Sequence, residues 1–342
     1  MQHEITQAIP LLDEQGELTQ PGWARRLLPV YDRSRVRGGP LRLKERDCYL
    51  VMNRQCALAL TISDNRYMGM DSISLIDLWE GWQVTRSPMR LMPLGGTGLP
   101  QSSLRGSCAR AGRGYGLLFQ HEGEGRTLHA HMDRFRDGQA LDAQILLTQE
   151  PEESIVMCTP FEKPGQFYFN QKINCMRAQG KVTLGDREYV FDPEDSFAVL
   201  DWGRGVWTCR GTWYWGSASG MVDGVPFGLN IGYGFGDTSA ATENALFYGG
   251  KLHKLSQVTF HIPRKNGREH YLAPWTFDSD DRRFRMKFRP ILDRAACPSA
   301  GVVRSGQHQV FGSFTGTAVL DDGTAVRLKE LLGFAEKVDD RW

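Results

Sequence analysis

A surplus of charge of either sign is missing from this sequence. Its 41 lysines and arginines stand against 40 aspartates and glutamates among 342 residues. No broad positive field gathers nucleic acid onto such a chain, so no nucleic-acid partner is expected. Long apolar runs are missing as well. None approaches the roughly 20 residues of a membrane-spanning helix, so no transmembrane segment is expected. The opening MQHEITQAIPLLDEQ lacks the basic and apolar stretches of a secretory signal. A cytoplasmic location follows as an expectation. Cysteine pairs are absent too. Cys48, Cys56, Cys108, Cys158, Cys175, Cys209 and Cys297 are scattered, odd in number and without a CxxC spacing. That usage fits free thiols in a reducing compartment. No GxSxG elbow, P-loop or HExxH motif occurs. AGRGYG and GYGFGD run into strand-like sequence, whereas a dinucleotide loop opens a helix.

Period-2 alternation of apolar and polar residues dominates instead. LRLKERDCYLVM, CALALTIS, RTLHAHMDRF, FYFNQKINCMR, TWYWGSASG and RRFRMKFR are examples, with GEG, LGD, VDG, KNG and DDG as turns between strands. The pattern predicts an all-β sandwich or barrel of about fifteen strands. The one fair helix candidate is residues 21–28, PGWARRLL, with Pro21 near a first turn. That many strands suit two β lobes. The weakest pattern lies at residues 148–165, so the lobes are expected at 1–160 and 161–342.

Residues 197–220 concentrate tryptophan: Trp202, Trp207, Trp213 and Trp215, with Asp201, Arg204 and Arg210 among them. TWYWGSASG, MVDG and VPFGLNIGYGF form a hairpin turning at Asp223-Gly224. Val225, Phe227, Leu229, Ile231, Tyr233 and Phe235 make one face of its second strand; Gly228, Asn230, Gly232, Gly234 and Gly236 make the other. A two- or four-residue loop puts Trp213, Trp215 and Ser217 beside the glycines. With four, Trp213 faces Gly232 and Trp215 faces Asn230. Bulky rings over bare backbone fit a packed lobe interface or a pocket floor. FYFNQKINCM is two-sided as well. Phe167, Phe169, Ile173 and Cys175 alternate with Tyr168, Asn170, Lys172 and Asn174, a face that is either solvated or a hydrogen-bonding wall.

Other clusters carry less. His129, His131 and Asp133, with His121, lack a defined ligand spacing, and no metal is assigned. Arg283, Arg285, Lys287 and Arg289 read as a solvated face neutralised by Asp278, Asp280 and Asp281. The carboxylates open to acid–base work are Asp201, Asp237, Glu243 and Glu336.

GWARRLLPVYDR, TISDNRYMG, DWGRGVW, GLNIGYGFGD, TENALFYGGKLHKL, HQVFGSFTG and GFAEKVDDRW carry a resemblance over nearly the whole chain. It is to the bacterial and fungal family catalogued as domain of unknown function 2804, which supplies no established activity. In layout the chain is more distantly similar to the lipocalin-like group of carotenoid hydratase, tocopherol cyclase and fungal Diels–Alder-type cyclases. Those proteins act on apolar polyenes or polyketides without a redox cofactor. The resemblance implies two lipocalin-like β-barrel lobes packed together and no cofactor. It also implies a small, largely apolar or amphipathic ligand that is isomerised, hydrated or cyclised by general acid catalysis. Asp201 or Glu243 is then the expected proton donor. Trp202, Arg204, Trp207, Arg210, Trp213, Trp215, Asn230, Asn170 and Lys172 are the expected ligand-binding residues, the indoles also stabilising positive charge. Two alternatives stand beside this one. In a carbohydrate-processing protein, an open groove would hold a pair of carboxylates. In a purely structural protein, Trp213 and Trp215 would be wholly buried.

Overall fold

The alternating runs become strands because each buries one face on a core. In the computed structural model, residues 2–341 are described except Gly38, Pro40, Cys209, Cys297, Pro298, Gly301 and Val302. Among the described residues the helical structure is one 3-10 turn, Arg33–Arg35. Cys209 and Cys297 lie outside the described residues; Cys48, Cys56, Cys108, Cys158 and Cys175 are free thiols.

Among the described residues, two large antiparallel sheets, of 14 and 10 strands, make up most of the molecule, with two small two-stranded pairs beside them. The first runs in spatial order from Trp82–Arg86 through Met68–Asp77, Cys56–Asp64, Lys44–Met52, Phe197–Val206, Phe167–Leu184 and Gln139–Thr148 to Arg126–Arg136, Tyr115–His121 and Gly106–Gly112. Right-handed strand twist curls a sheet of this width. Its far ends approach each other: Arg86 Nε donates to the Phe135 carbonyl at 2.9 Å, and the Tyr115 hydroxyl to Asp71 at 2.9 Å. A half-barrel results, filled by Leu58, Leu60, Leu75, Phe119, Phe135, Phe167, Phe169 and Trp202.

The second sheet begins at Lys251–Lys254 and passes through Ala245–Tyr248, Val225–Tyr233, Arg210–Val222, Ala325–Arg341, Val303–Val319 and Phe284–Ala296 to Trp275–Ser279 and Val258–His261. It curls likewise, with Tyr233 against Phe260 at 5.6 Å. Phe227, Leu229, Ile231, Trp275, Phe277, Phe288 and Phe314 fill it. The all-β, lipocalin-like architecture agrees with the sequence reading.

Three expectations need correction. The chain changes sheet between Val206 and Arg210, not near residue 160, because the 18-residue strand Phe167–Leu184 pairs with Ile155–Pro160 and with Gln139–Thr148 inside the first sheet. Residues 21–28 form no helix. Gly22–Ala24 is a strand paired with Val156–Cys158, and that pairing buries Trp23. The face assigned to Cys175 also breaks. A register shift between Ile173 and Met176, with Cys175 at φ 63, turns the thiol toward Trp23 and Phe247.

The lobes meet back to back along a seam. Leu50, Met52, Ala57, Ile76 and Val199 of the first sheet pack on Leu292, Phe311 and Phe334 of the second, with Trp215 beside them. Gly205 guards the register at one end of the seam. Its φ is +152, and a Cβ there would lie 2.2 Å from the Phe167 carbonyl oxygen. Gly205→Ala is therefore expected to cost more than about 1 kcal/mol. Denaturant unfolding checks this, and wild-type stability would show that the strands can part without cost.

Candidate functional site

Strand alternation selects which side chains enter the seam. On the first lobe one transverse row reads Lys172, Asp201, Cys48, Thr61, Ser72, each the cross-strand partner of the next. On the second lobe the facing row reads Gly232, Trp215, Glu336, Gln309, Arg294. Adjacent strands bring such partners within side-chain contact. The two rows meet in a cluster of charge.

Asp201 is its centre. Oδ1 accepts from Lys172 Nζ at 2.8 Å and from the Tyr168 hydroxyl at 3.4 Å, while Oδ2 accepts from Arg46 Nη2. Burial alone would raise the Asp201 pKa; the charges of Lys172 and Arg46 overcome it and hold the carboxyl below its usual range. Lys172 is pushed the opposite way to its burial, upward, chiefly by Asp201. Lys172 Nζ also lies 4.2 Å from the Trp215 ring centroid and 3.8 Å from Glu243 Oε2. Asn230 joins the groups: its Oδ1 accepts from Trp215 Nε1 at 2.7 Å, and its Nδ2 donates to the Glu243 carbonyl at 2.9 Å and to Oε2 at 3.2 Å. Gly232 leaves the space for Glu243, since a Cβ there would stand 2.5 Å from Oε1.

Glu336 is the middle of the second row. Gln307 and Gln309 donate to its Oε2 at 3.0 and 3.1 Å, and burial raises its pKa. Arg294 reaches Gln309 at 2.7 Å and Ser74 of the other lobe at 2.9 Å. The cluster is not sealed: the Arg46 side chain is 39% exposed and that of Glu243 18%.

Along the strands the seam changes character. From Arg46 and Cys48 the chain passes to Leu50 and Met52, from Asp201 to Val199, from Glu336 to Phe334 and from Trp215 to Ser217. Those residues line a cleft of about 350 Å³, with Ala218, Leu331 and Leu332 in its walls and both bases (Arg54, Arg327, Lys329) and acids (Glu194, Asp195, Asp223, Glu330) around it. In the other direction lie aromatic rings. Tyr168 is 5.2 Å from Trp207 and 4.8 Å from Phe235, and Trp213 is 5.1 Å from Phe235.

The hairpin turn has two residues, so Trp215 faces Gly232 and Ser217 faces Asn230. The expected sharing of a face by Trp213, Trp215 and the glycines is present. Phe235 leaves the opposite face, because the strand ends at Tyr233 and Gly234, at φ 93, turns the chain. Trp213 and Trp215 are half-buried, not wholly buried.

Asp201, Glu243, Lys172, Asn230 and Trp215 thus come together, with Trp213 and Trp207 beside them. Asn170 is buried between Tyr168 and Lys172 on the same strand face, and its carboxamide oxygen has no hydrogen-bond partner. Trp202 and Arg204 do not join. Separations of one and three residues from Asp201 put Trp202 and Arg204 on the opposite face, and both point into the first lobe. There Arg204 donates to Asp47 at 2.8 Å and lies 4.3 Å from the Trp202 ring. Arg210 is exposed at the edge of its strand and stands apart. Arg46, Gln307, Gln309 and Arg294 were missed. Arg46 sits in an alternating run, LRLKERDCYL, and only its partner across the sheet marks it out.

His131 bonds Asp142 at 2.7 Å and Asp133 at 2.8 Å on an exposed face. Among the described residues no group of three His, Cys, Asp or Glu side chains is arranged to hold a metal ion. Among them, too, no helix is long and apolar enough to cross a membrane.

A two-lobed, lipocalin-like β fold with a charged seam is the class these features define. The chain belongs to the family described as domain of unknown function (DUF2804), which matches residues 2–342. No curated protein matches the sequence. Among solved structures, an AttH-like protein from Nitrosomonas europaea superposes at a TM-score of 0.51 and 11% identity, over 90% of this chain and 95% of that one. Kievitone hydratase from Nectria haematococca gives 0.48 at 9% identity, over 98% of each chain. CghA with Sch210972 gives 0.47 at 11% identity, over 97% and 98%.

Removing the central anion leaves two cations in the seam without it. Asp201→Asn is expected to cost about 3–5 kcal/mol at neutral pH, and adding Lys172→Met should recover part of the loss. The folded Asp201 carboxyl titrates below its unfolded value. Its contribution is therefore complete at neutral pH and fades as pH falls through the acid range. Urea unfolding of the double-mutant cycle checks this. Additive losses would show that Lys172 and Asp201 are not coupled.

Proposed function

We propose that this protein binds a small, largely apolar molecule in the seam, in the cytoplasm, and acts on its polar end by general acid catalysis without a redox cofactor. The observation that carries the reading is the gradient along the seam strands. Leu50, Val199 and Phe334 form the apolar part of the cleft, and the next residues on the same faces are Cys48, Asp201 and Glu336. A molecule with one apolar and one polar end fits such a gradient.

The expected division of labour changes in one respect. Asp201, held ionised by Lys172 and Arg46, serves as an anchor for those cations rather than as the acid. Glu336 takes the donor's place. Burial favours its protonated form, and only Oε2 accepts from Gln307 and Gln309, which leaves Oε1 to carry the proton. Glu243, reached by Asn230 and Lys172, is placed to assist as base. Trp215 and Trp213 wall the site, and Asn170 offers its unpaired carboxamide oxygen to the ligand. An isomerisation balances with these groups alone. Glu336 gives a proton to one atom of the ligand, a neighbouring carbon loses one to a carboxylate, and no co-reactant is consumed.

Binding of N-phenyl-1-naphthylamine, a neutral aromatic fluorophore, tests the reading. Val199→Trp fills the cleft and is expected to weaken binding at least about tenfold. Trp79→Ala, at an exposed hairpin tip outside the cleft lining, is expected to leave it unchanged. Equal binding by both variants, or none by the wild type, would contradict the reading.

A further inference from the structure

The charges of the seam do not balance once Glu336 carries a proton. Facing Glu336 are Arg46, Cys48 and Asp201 of the first lobe, Arg294 from the neighbouring strand region, Gln307 and Gln309 from the adjacent strand and Trp215 from the other side. Lys172, Tyr168 and Glu243 complete the cluster around Asp201. The cations are Arg46, Lys172 and Arg294; the carboxyls are Asp201, Glu243 and Glu336. Neutrality therefore requires all the carboxyls to be ionised. Lys254 lies behind Glu243, with Glu243, Asp281 and Asp321 as its counter-charges; burial lowers its pKa to about 7, so it adds at most a further positive charge to the cluster and no anion.

Geometry says which carboxyl gives way. Asp201 uses both oxygens on cations, and Glu243 bonds Asn230 and faces Lys172. Among the described residues, Glu336 receives neutral amide donors, both on Oε2. A proton on Oε1 breaks none of these bonds and leaves the seam one positive charge in surplus. Partly exposed Arg46 presents that surplus to solvent.

We infer that the polar end of the ligand is a single negative charge, such as a carboxylate, sulfonate or enolate, and that its entry brings one proton onto Glu336. This rests on the seam being the ligand site. The incoming anion takes hydrogen bonds from Arg46, Lys172 and the newly protonated Glu336, and the site returns to neutrality. Affinity for a permanently charged anion then falls with rising pH, by about tenfold per pH unit above the titration of free Glu336. The sign follows from the linkage: the bound state holds one more proton than the free state, so withdrawing protons favours release.

The probe is 1-anilinonaphthalene-8-sulfonate, anionic throughout the working pH range, compared with neutral N-phenyl-1-naphthylamine. Fluorescence titrations from pH 5 to 9 read affinity, and calorimetry in buffers of different ionisation enthalpy counts protons. The expected result is pH-dependent binding of the sulfonate with uptake of one proton, and nearly flat binding of the neutral probe. Glu336→Gln, a permanently neutral isostere, is expected to bind the sulfonate with no pH dependence. Should that variant not fold, the proton count on the wild type decides alone. Neutral-probe binding together with flat sulfonate binding, or with no sulfonate binding, would overturn the anion inference and leave the site standing. Failure of both probes would overturn both. Persistent pH dependence in Glu336→Gln would assign the proton elsewhere and reject the role of Glu336.

Discussion

The molecule turns on one buried carboxylate. Asp201 sits where two half-barrels are pressed back to back, and it is there because Lys172 and Arg46 share its oxygens. Burying an ion pair costs desolvation that a well-packed apolar pair would avoid. Nothing in the fold requires that cost at this place. The apolar contacts of Leu50, Val199, Phe311 and Phe334 already join the lobes. Charge retained at the centre of such an interface, beside a cleft and half-buried indoles, is the observation on which the proposed site rests.

The rest of the seam follows from that centre. Trp215 covers Lys172 and is fixed by Asn230, which in turn holds Glu243. Gly232 is bare so that Glu243 has room. Glu336 is the cross-strand neighbour of Trp215, and its amide partners hand it on to Arg294, which ties back to Ser74 of the first lobe. Each link within a sheet is a strand neighbour or a hydrogen bond, and the cation–π contact of Lys172 with Trp215 and the bond of Arg294 to Ser74 carry the network across the seam.

Much of this was legible in the sequence because a strand has a period of two. Alternation gave the β class, the two faces of the Trp-rich hairpin and the polar face of Tyr168, Asn170, Lys172 and Asn174. The same rule, applied to residues 201–204, separates Asp201 from Trp202 and Arg204, which share the opposite face; grouping them by proximity along the chain overlooked it. Alternation does not say which strands are neighbours. The lobe boundary was misplaced because the long strand Phe167–Leu184 pairs back to earlier strands as well as forward. Arg46 and Glu336 stand 290 positions apart, and only strand order and lobe packing bring them to one carboxylate.

The central claim is that the seam is a site for a small molecule. Native mass spectrometry of the protein purified gently from its own host tests it most directly. The account predicts a co-purifying small molecule with an apolar body and an acidic end, retained by the wild type and lost from Val199→Trp. A protein that carries nothing from its host, and takes up nothing from an extract of host metabolites, would contradict it and leave the buried charges as parts of a joint.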